Sequence, residues 1–285
     1  MAIYKGNKKV VAVYKGSTPI NKIYKGSTLV FQKSGGGGGS THLFEGTATE
    51  KFYLSINGNG IPITPDADGK WFYDTDETIT SLHDTFFLQS AVTSVDLSNL
   101  DLTGIDTGSM FDGSSNITSI KFNNTKSMKL KYIDGMFKNC SSLTSLNLSS
   151  FDTSSITSAG SLFSGCSSLV SLDVSKWDTS NFTDAGYLFT SCSKLVSLDL
   201  SSWDTSSLIF ATSLFNSCSS LVSLDLSNFD MRNATYYNYI FVGCNKLTNI
   251  KCKQAFKDWC ITHQDDIYLP TQMREGGSGT WEIVG

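Results

Sequence analysis

A unit of 26 residues repeats through the middle of this chain and restricts its fold more than any other feature. Phenylalanine returns at this spacing in six successive copies: Phe111, Phe137, Phe163, Phe189, Phe215 and Phe241. A further copy, one residue closer, begins at Phe86. Columns of leucine keep the same register, so that several positions agree over six to seven copies. Such agreement predicts a solenoid in which each copy forms one coil and packs against its neighbours.

Each copy contains the pattern L-x-x-L-x-L followed by an aromatic residue, as in Leu195, Leu198, Leu200 and Trp203. The L-x-L alternation directs two side chains inward from a short strand. An aspartate after the aromatic residue, such as Asp204, is suited to capping the next turn, and we expect a short helix to return the chain. The pattern predicts an α/β repeat fold: a leucine-rich-repeat solenoid over residues 86–252, with one parallel sheet of short strands and with short helices.

The seven cysteines follow the repeat. Five of them recur at its spacing: Cys140, Cys166, Cys192, Cys218 and Cys244. Because each occupies the same place in its coil, and because cysteine is a small residue that is often buried, we expect a core ladder of free thiols instead of disulfides. No cysteine pair has the spacing of a zinc site, and the histidines lie far apart in sequence. We therefore expect no metal site and no cofactor.

Two shorter regions flank the solenoid and are expected to close its ends. Residues 41–85 contain the β-like segments KFYLSIN and IPITP around an NGNG turn, followed by DADGK and WFYD. They predict a β-rich N-terminal cap, which would cover apolar surface and strand edges at the first coil. Residues 253–285 follow the last coil and are predicted to form the C-terminal cap.

Three similar segments begin the chain: IYKGN, VYKGS and IYKGS. Short β-branched runs between glycine turns predict strands, so residues 1–33 are interpreted as a small β-arm that attaches to a partner or forms a homotrimer. The residues expected to mediate attachment are Tyr4, Lys5, Tyr14, Lys15, Tyr24 and Lys25. Residues 34–40 form a glycine linker, which is either natural or an engineered tether.

Charge is distributed unevenly along the chain. The arm carries seven lysines and no acidic residue, whereas the rest of the chain carries all 26 acidic residues and the other 15 of the 22 basic ones. The lysines either dock the arm onto an acidic surface or merely keep it soluble, and nucleic acid is not the expected partner. No apolar run is long enough to span a membrane, and no segment has the pattern of a secretion signal. We expect a soluble protein that is made in the cytoplasm.

The segment SLFSGCSSLVSLDVSKWDTSNFTDAGYLFTSCSKLVSLDLSSWDTSS resembles the 26-residue repeats of BspA-like leucine-rich-repeat surface proteins of gut and oral bacteria. The tail, which begins QAFKDWC, is similar to the closing cap of such proteins. This resemblance implies adhesion and the binding of host proteins. The I-Y-K-G-S arm resembles N-terminal elements of Bacteroides phage and prophage virion proteins. Together the two resemblances imply a receptor-binding protein on a virion or another extracellular surface.

The exposed strand face is one candidate surface for ligand binding. It carries a serine column beside Asp173, Asp199 and Asp225. Three carboxylates about 5 Å apart repel one another, which favours a cationic or hydroxyl-rich partner or an ordered cation. The alternative is a solvated face on which the serines soften the repulsion.

Tyrosines in the last repeat provide a second candidate surface. The last repeat reads TYYNYIF where an earlier coil reads TSAGSLF, so Tyr236 and Tyr239 replace serines, and Tyr187 shares the column of Tyr239. Tyrosines supply rigid contact area and can stack on sugar rings; packing against the C-terminal cap is the alternative. Tyr237 falls in a column of small residues and is predicted to fill space beside that cap.

Catalysis is not expected. His83 and His263 flank opposite ends of the solenoid, and no phosphate-binding G-x-x-x-x-G-K-[ST] loop occurs. The favoured function is a non-enzymatic recognition module that binds a bacterial or host surface protein or glycan and is attached through its arm to virion subunits. The alternatives are a structural tail or capsid protein whose solenoid packs on neighbouring subunits, a bacterial cell-surface adhesin and, last, a glycan-active enzyme.

Overall fold

The computed structural model describes residues 42–75 and 77–285, together with the backbone of four short strands in the first 41 residues. These four are β1 (Tyr14–Lys15), β2 (Thr18–Pro19), β3 (Lys22–Lys25) and β4 (Thr28–Gln32). β1 pairs with β2 and β3 with β4, both antiparallel, so two of the Y-K-G segments each begin a hairpin. Tyr4, Lys5, the glycine linker and the side chains of Tyr14, Lys15, Tyr24 and Lys25 lie outside the described residues. Attachment through the arm and trimer formation stay predictions.

Residues 42–285 consist mostly of short strands joined by turns, with one α-helix near the C-terminal end. In chain order, the elements are β5 (Phe44–Ala48), β6 (Phe52–Ile56), β7 (Asn59–Ile63), β8 (Lys70–Tyr73), β9 (Val92–Leu97), β10 (Ser119–Phe122), β11 (Met128–Lys129), β12 (Phe151–Asp152), β13 (Ser197–Asp199), β14 (Ser223–Leu226), β15 (Asn249–Lys253), α1 (Gln254–Thr262), the 3-10 helix η1 (Thr271–Met273) and β16 (Thr280–Val284).

A stack of phenylalanine rings forms the axis of the core and confirms the solenoid. The rings of Phe86 and Phe111 lie 5.0 Å apart between centroids, and the stack continues to Phe241 at spacings between 5.7 and 5.9 Å. All seven phenylalanines of this column are buried. We number the coils 1 to 7 by these residues, from Phe86 to Phe241. Because each coil presents one ring face to each neighbour, the stack fixes both the order and the register of the coils.

Two of the N-terminal strands, β5 and β8, continue the sheet of the first coils, whereas β6 and β7 pair with each other. β5 lies antiparallel between β8 and β9, and β9 pairs parallel with β10 of coil 2. A glycine is required at Gly46, because a Cβ atom there would lie 1.9 Å from the carbonyl oxygen of Ser94. Trp71 packs between Phe52 and Phe86, with ring centroids 5.1 and 5.9 Å away. Strand pairing and aromatic packing thus both join residues 44–73 to coil 1.

The strand face of the solenoid is less regular than expected. β13, β14, β15 and β16 form a parallel sheet over coils 5 to 7, in which Leu198, Leu224 and Ile250 lie in register. In coils 3 and 4, however, the segments 143–148 and 169–174 form no regular strand. The expectation of one sheet through every coil is therefore wrong, although Leu143 and Leu169 still point into the core.

The return segments form a turn ladder and not the expected short helices. In coil 5 the Tyr187 N–H donates to the Thr212 carbonyl of coil 6 at 2.8 Å, and the Phe189 N–H donates to Leu214 at 3.0 Å. Tyr187 also has a left-handed φ of 60°, which an α-helix cannot contain. Every second backbone N–H of a return segment donates to a carbonyl of the next coil. If the segment were helical, these N–H groups would bond within it and leave the carbonyls of the next coil unpaired. The one α-helix among residues 42–285 is α1, after the last coil.

The C-terminal segment closes the last coil with a strand and a helix. β16 pairs parallel with β15, and α1 buries Phe256 and Cys260. Tyr237 packs edge-on against Trp259 and His263, with ring centroids 5.2 and 5.1 Å away. This contact agrees with the space-filling role predicted for Tyr237.

The cysteine ladder is confirmed, since all seven cysteines are free and buried. In each of coils 3 to 7 the thiol donates to the phenylalanine carbonyl of the preceding coil; Cys192, for example, donates to Phe163 at 3.2 Å. Burial raises the pKa of Cys244 to about 12 and that of Cys252 to about 11. Because the thiolate is the reactive form, these groups act as core side chains.

A second buried ladder consists of threonines. Thr179 donates its hydroxyl hydrogen to the Asp204 carbonyl at 3.0 Å, and its oxygen accepts the Asp204 N–H at 2.9 Å. Thr205 makes the same pair of bonds to Asp230 one coil later. Each hydroxyl thus satisfies two backbone groups of the next coil and ties consecutive corners together.

Among the helices of the described residues, none combines the length and the apolar character that a membrane crossing requires.

Candidate functional site

The three predicted aspartates of the strand face lie at the end of each strand segment, where the chain turns. Their carboxylates accept hydrogen bonds from the backbone N–H two residues further on: Asp173 accepts from Ser175 at 3.0 Å, Asp199 from Ser201 at 2.9 Å and Asp225 from Ser227 at 3.1 Å. Asn147, in the same column, accepts from Ser149 in the same way. A side chain that bonds the backbone two residues on stabilises a turn, so this column has a structural function in each coil that carries aspartate or asparagine there.

Lysines shorten the acidic stretch at both ends of this column. The Lys251 ammonium lies 2.9 Å from the Asp225 carboxylate, and Lys121 lies 2.9 Å from Asp96. Burial works against ionisation of Asp225, but the hydrogen bonds from Lys251 and Ser227 outweigh it and lower the pKa of that carboxyl. Hydrogen bonding by Ser175 lowers the pKa of Asp173. Within this column, Asp173 and Asp199 therefore remain as neighbouring carboxylates for which the described residues provide no lysine salt bridge.

The aspartates that follow the aromatic column have the same turn-forming function. Their carboxylates accept the backbone N–H two residues on, in the pairs Asp152–Ser154, Asp178–Ser180, Asp204–Ser206 and Asp230–Arg232. A third corner uses Asp106 and Asp184, which accept from Gly108 and Gly186. Much of the acidity of the solenoid thus arises from turn formation and does not by itself mark a binding site.

The three predicted tyrosines lie on the return segments, away from the strand segments that hold the aspartates. Tyr187, Tyr236 and Tyr239 are 48%, 51% and 47% exposed. The ring of Tyr236 stacks on Phe210 at 4.5 Å with an angle of 2° between the planes, and Tyr239 contacts the ring of Tyr268 at 5.4 Å. The tyrosines therefore belong to a larger exposed cluster and form a surface separate from the aspartate column.

We call this cluster the aromatic edge. Its members are Tyr187, Ile209, Phe210, Tyr236, Tyr239 and Tyr268, all of them exposed. The sequence prediction missed Ile209, Phe210 and Tyr268. Phe210 could have been found by comparing columns, because it stands where coils 4 and 5 have Ser158 and Asp184. Tyr268 lies in the C-terminal segment, outside the repeat, and no column predicts its position.

Three members of the aromatic edge have an unusual backbone: Tyr187, Tyr239 and Tyr268 have φ values of 60°, 66° and 54°, in the left-handed region. Tyr187 and Tyr239 share one column of the repeat. The equivalent residues of the other coils have the same conformation and are small or polar: Asp84, Ser109, Gly135, Ser161 and Ser213. A bulky side chain is disfavoured in this region by about 1 kcal/mol or more. The turn ladder holds the backbone in place, so the aromatic side chains are an addition that folding of the coil does not require.

Two further features were not predicted from the sequence. Val170, Val196 and Val222 form an exposed row on the strand face. A groove of about 660 Å³ lies between coils 5 to 6 and α1, above Trp203 and Phe256. Its cations already have partners: Arg232 lies 2.6 Å from Asp230, and the Lys253 ammonium donates to Asn228 at 3.3 Å.

The histidines are dispersed in the structure as well. His83 lies between Asp84 and Asp106 at 3.6 and 3.5 Å, and the ring of His263 bonds the Trp259 carbonyl at 2.8 Å. Within the part of the chain that the structure describes, no group of three or more histidine, cysteine, aspartate or glutamate side chains could hold a metal ion.

Comparison with known families agrees with this architecture. Residues 73–170 match the BspA type Leucine rich repeat region in six copies, and residues 131–259 match the family described as Mycoplasma protein of unknown function, DUF285. No curated protein matches the chain significantly. The two matches overlap and together extend from residue 73 to residue 259, and the first supports BspA-type leucine-rich repeats over residues 73–170. Neither match indicates a catalytic family, and repeats of this type form scaffolds for binding.

Proposed function

We propose that the chain is a non-enzymatic, adhesion-type binding module that holds its ligand on the aromatic edge. The observation that carries the proposal is the clustering of six exposed large apolar side chains on the return segments of coils 5 to 7 and the C-terminal segment. Exposed apolar side chains concentrated on neighbouring segments mark interaction sites on proteins, and two pairs of these side chains are in ring contact. Tyrosine suits such a site because it combines rigid contact area with a hydroxyl group.

The aspartate column is the weaker candidate for ligand contact. Each carboxylate already accepts a hydrogen bond within its own coil, and Asp225 also pairs with Lys251. The aromatic edge has no comparable internal function, since the other coils fold with aspartate, serine or glycine at the positions of Tyr187 and Tyr239.

Binding of the fluorescently labelled full chain to a panel of intact bacterial and mammalian cells tests this proposal by flow cytometry. A variant with Phe210→Ser and Tyr236→Ser, which copies Ser158 of the same column, is expected to lose binding. A variant with Asp173→Asn, Asp199→Asn and Asp225→Asn keeps the turn-forming acceptors, as Asn147 does, and is expected to bind normally. If the aromatic variant still binds cells and the asparagine variant does not, the ligand binds the strand face and the proposal is wrong.

The location of this module on a virion, with the arm attached to virion subunits, is a second proposal. Its support is the arm itself, with its repeated Y-K-G segments and its lysines. Recruitment into phage particles of the full chain, but not of a chain with Lys5, Lys15 and Lys25 all changed to Glu, is the expected result. Equal recruitment of both chains would contradict attachment through the arm, and recruitment of neither would contradict the virion location.

A further inference from the structure

Within the aromatic edge, Tyr187 and Tyr239 flank a small residue. They belong to coils 5 and 7, and Ser213 of coil 6 lies between them in the same column, as the backbone bonds from Tyr187 to coil 6 and from Ser213 to coil 7 require. Ser213 is only 4% exposed, whereas both tyrosines are about half exposed. The two tyrosine side chains are therefore exposed on either side of a small, buried residue.

The spacing of these tyrosines is set by the coils. Two steps of a hydrogen-bonded ladder separate their backbones by about 9–10 Å. A ring between two aromatic side chains makes one van der Waals contact of about 3.5–4.0 Å to each. The spacing thus accommodates a single six-membered ring, and the remaining ångström suits a puckered ring better than a flat one.

The surrounding groups decide which ring chemistry fits. The return segments 184–187, 209–213 and 235–239, together with 265–268, contain Asp184, Asp265 and Asp266 but no lysine or arginine. Arg274 pairs with Asp265 at 2.7 Å, so Asp184 and Asp266 supply the negative charge of this surface. An acidic surface repels sulfated sugars and uronic acids, because the carboxylates of surface and ligand would face one another. Asn238 is exposed beside Tyr239, and the tyrosine hydroxyls add further hydrogen-bonding groups. The tyrosine rings provide stacking faces, and the polar groups around them are neutral or acidic. This combination suits an uncharged sugar.

On these grounds we propose that Tyr187 and Tyr239, with Ser213 between them, form a binding site for a pyranose ring of a neutral glycan. The inference rests on the function proposed above and names the chemical class of its ligand. A glycan chain that runs along the solenoid axis would place further rings against Tyr268, which contacts Tyr239 at 5.4 Å.

Direct binding measurements test the site. The full chain is applied to an array of linear neutral oligosaccharides (hexamers of glucose, mannose, galactose and N-acetylglucosamine) beside hyaluronan and alginate as acidic controls. We expect binding to at least one neutral oligosaccharide, and a loss of affinity of about tenfold or more in Tyr187→Ser and in Tyr239→Ser. Neighbouring coils have serine at the same position, so both variants should fold. The midpoint of urea unfolding checks this. Tyr132→Ser, an equally exposed tyrosine in coil 3, is the matched control and should bind normally.

Two outcomes would overturn the glycan assignment: binding of no neutral oligosaccharide, or equal binding by the parent and both tyrosine variants. Cell binding separates this failure from failure of the proposed function. Binding that survives periodate oxidation of the cell surface, disappears after proteinase K treatment and still depends on Tyr187 and Tyr239 would identify a protein ligand on the same edge. Cell binding that is indifferent to every aromatic variant would contradict both proposals.

Discussion

The threonine ladder makes the stability of the solenoid sensitive to single hydroxyl groups. Thr179→Val replaces the hydroxyl with a methyl group of similar size, so the packing of the corner is retained. The change removes both bonds to Asp204, at 3.0 Å to its carbonyl and 2.9 Å from its N–H. Each unsatisfied backbone group costs about 1–3 kcal/mol when fully buried. Because these bonds are only partly buried, we expect a loss near the low end for each group, about 2–3 kcal/mol in total.

Urea unfolding followed by circular dichroism measures this loss. Thr179→Ser is the first control, because it keeps the hydroxyl and removes one buried methyl group, at a cost of about 1 kcal/mol. Thr183→Val is the second, since its hydroxyl makes a single bond of 3.1 Å to Thr157 at an exposed position. The expected order of stability is parent, Thr183→Val, Thr179→Ser and then Thr179→Val, with faster exchange of the Asp204 amide in the last. If Thr179→Val proves as stable as Thr179→Ser, the hydroxyl bonds do not stabilise the corner and the reasoning fails.

Three further predictions concern thiols, backbone strain and acid. Iodoacetamide at pH 8 should leave the native chain unlabelled and label all seven cysteines in urea, because burial raises the pKa of thiols such as Cys244; mass spectrometry would expose a reactive native thiol as the contrary result. Tyr187→Gly should stay within about 1 kcal/mol of the parent in urea unfolding, since relief of the left-handed conformation offsets lost packing, whereas Tyr237→Gly should cost about 2 kcal/mol or more. The serines beside Asp173 and Asp204 lower the pKa of these carboxyls in the folded state, so the unfolded chain binds more protons and stability should fall as the pH drops below about 4. Asp184, with a pKa raised by burial, acts in the opposite direction, and a thermal midpoint that is flat from pH 6 to pH 3 would contradict the prediction.

The repeat pattern predicted those parts of the fold that depend on which side chains face inward. The columns of Phe137, Leu143 and Cys140 are buried as expected, because burial of one face per coil is a property of spacing alone. The form of the return segment could not be predicted in this way. Adjacent apolar residues such as Leu188 and Phe189 fit a helix and a turn ladder equally well. The structure selects the ladder through hydrogen bonds to the next coil, which a single unit of sequence does not reveal.

The candidate site was predicted in part for a similar reason. Tyr187 and Tyr239 stand out because they break a column of small or polar residues, and Tyr236 because it replaces the serine of an earlier coil; all three are exposed. The stacking of Phe210 on Tyr236 depends on the contact between two coils, and Tyr268 comes from a segment without a repeat. The aspartates were selected for their charge. Their hydrogen bonds show that aspartate occurs at these corners because it stabilises the turn.

This distinction indicates where specificity can evolve on such a scaffold. A residue that closes a turn, like Asp199, cannot be exchanged for a ligand-binding side chain without loss of the turn, unless asparagine replaces it. In the column of Tyr187 on the return ladder, hydrogen bonds between coils hold the backbone, and the side chain varies from Gly135 and Asp84 to tyrosine. Tyrosine at φ near 60° is tolerated there because the backbone hydrogen bonds of the turn ladder oppose the local strain. Selection for binding can therefore act on the return segments while the corners and the phenylalanine stack keep the coil intact, which is the arrangement that the aromatic edge displays.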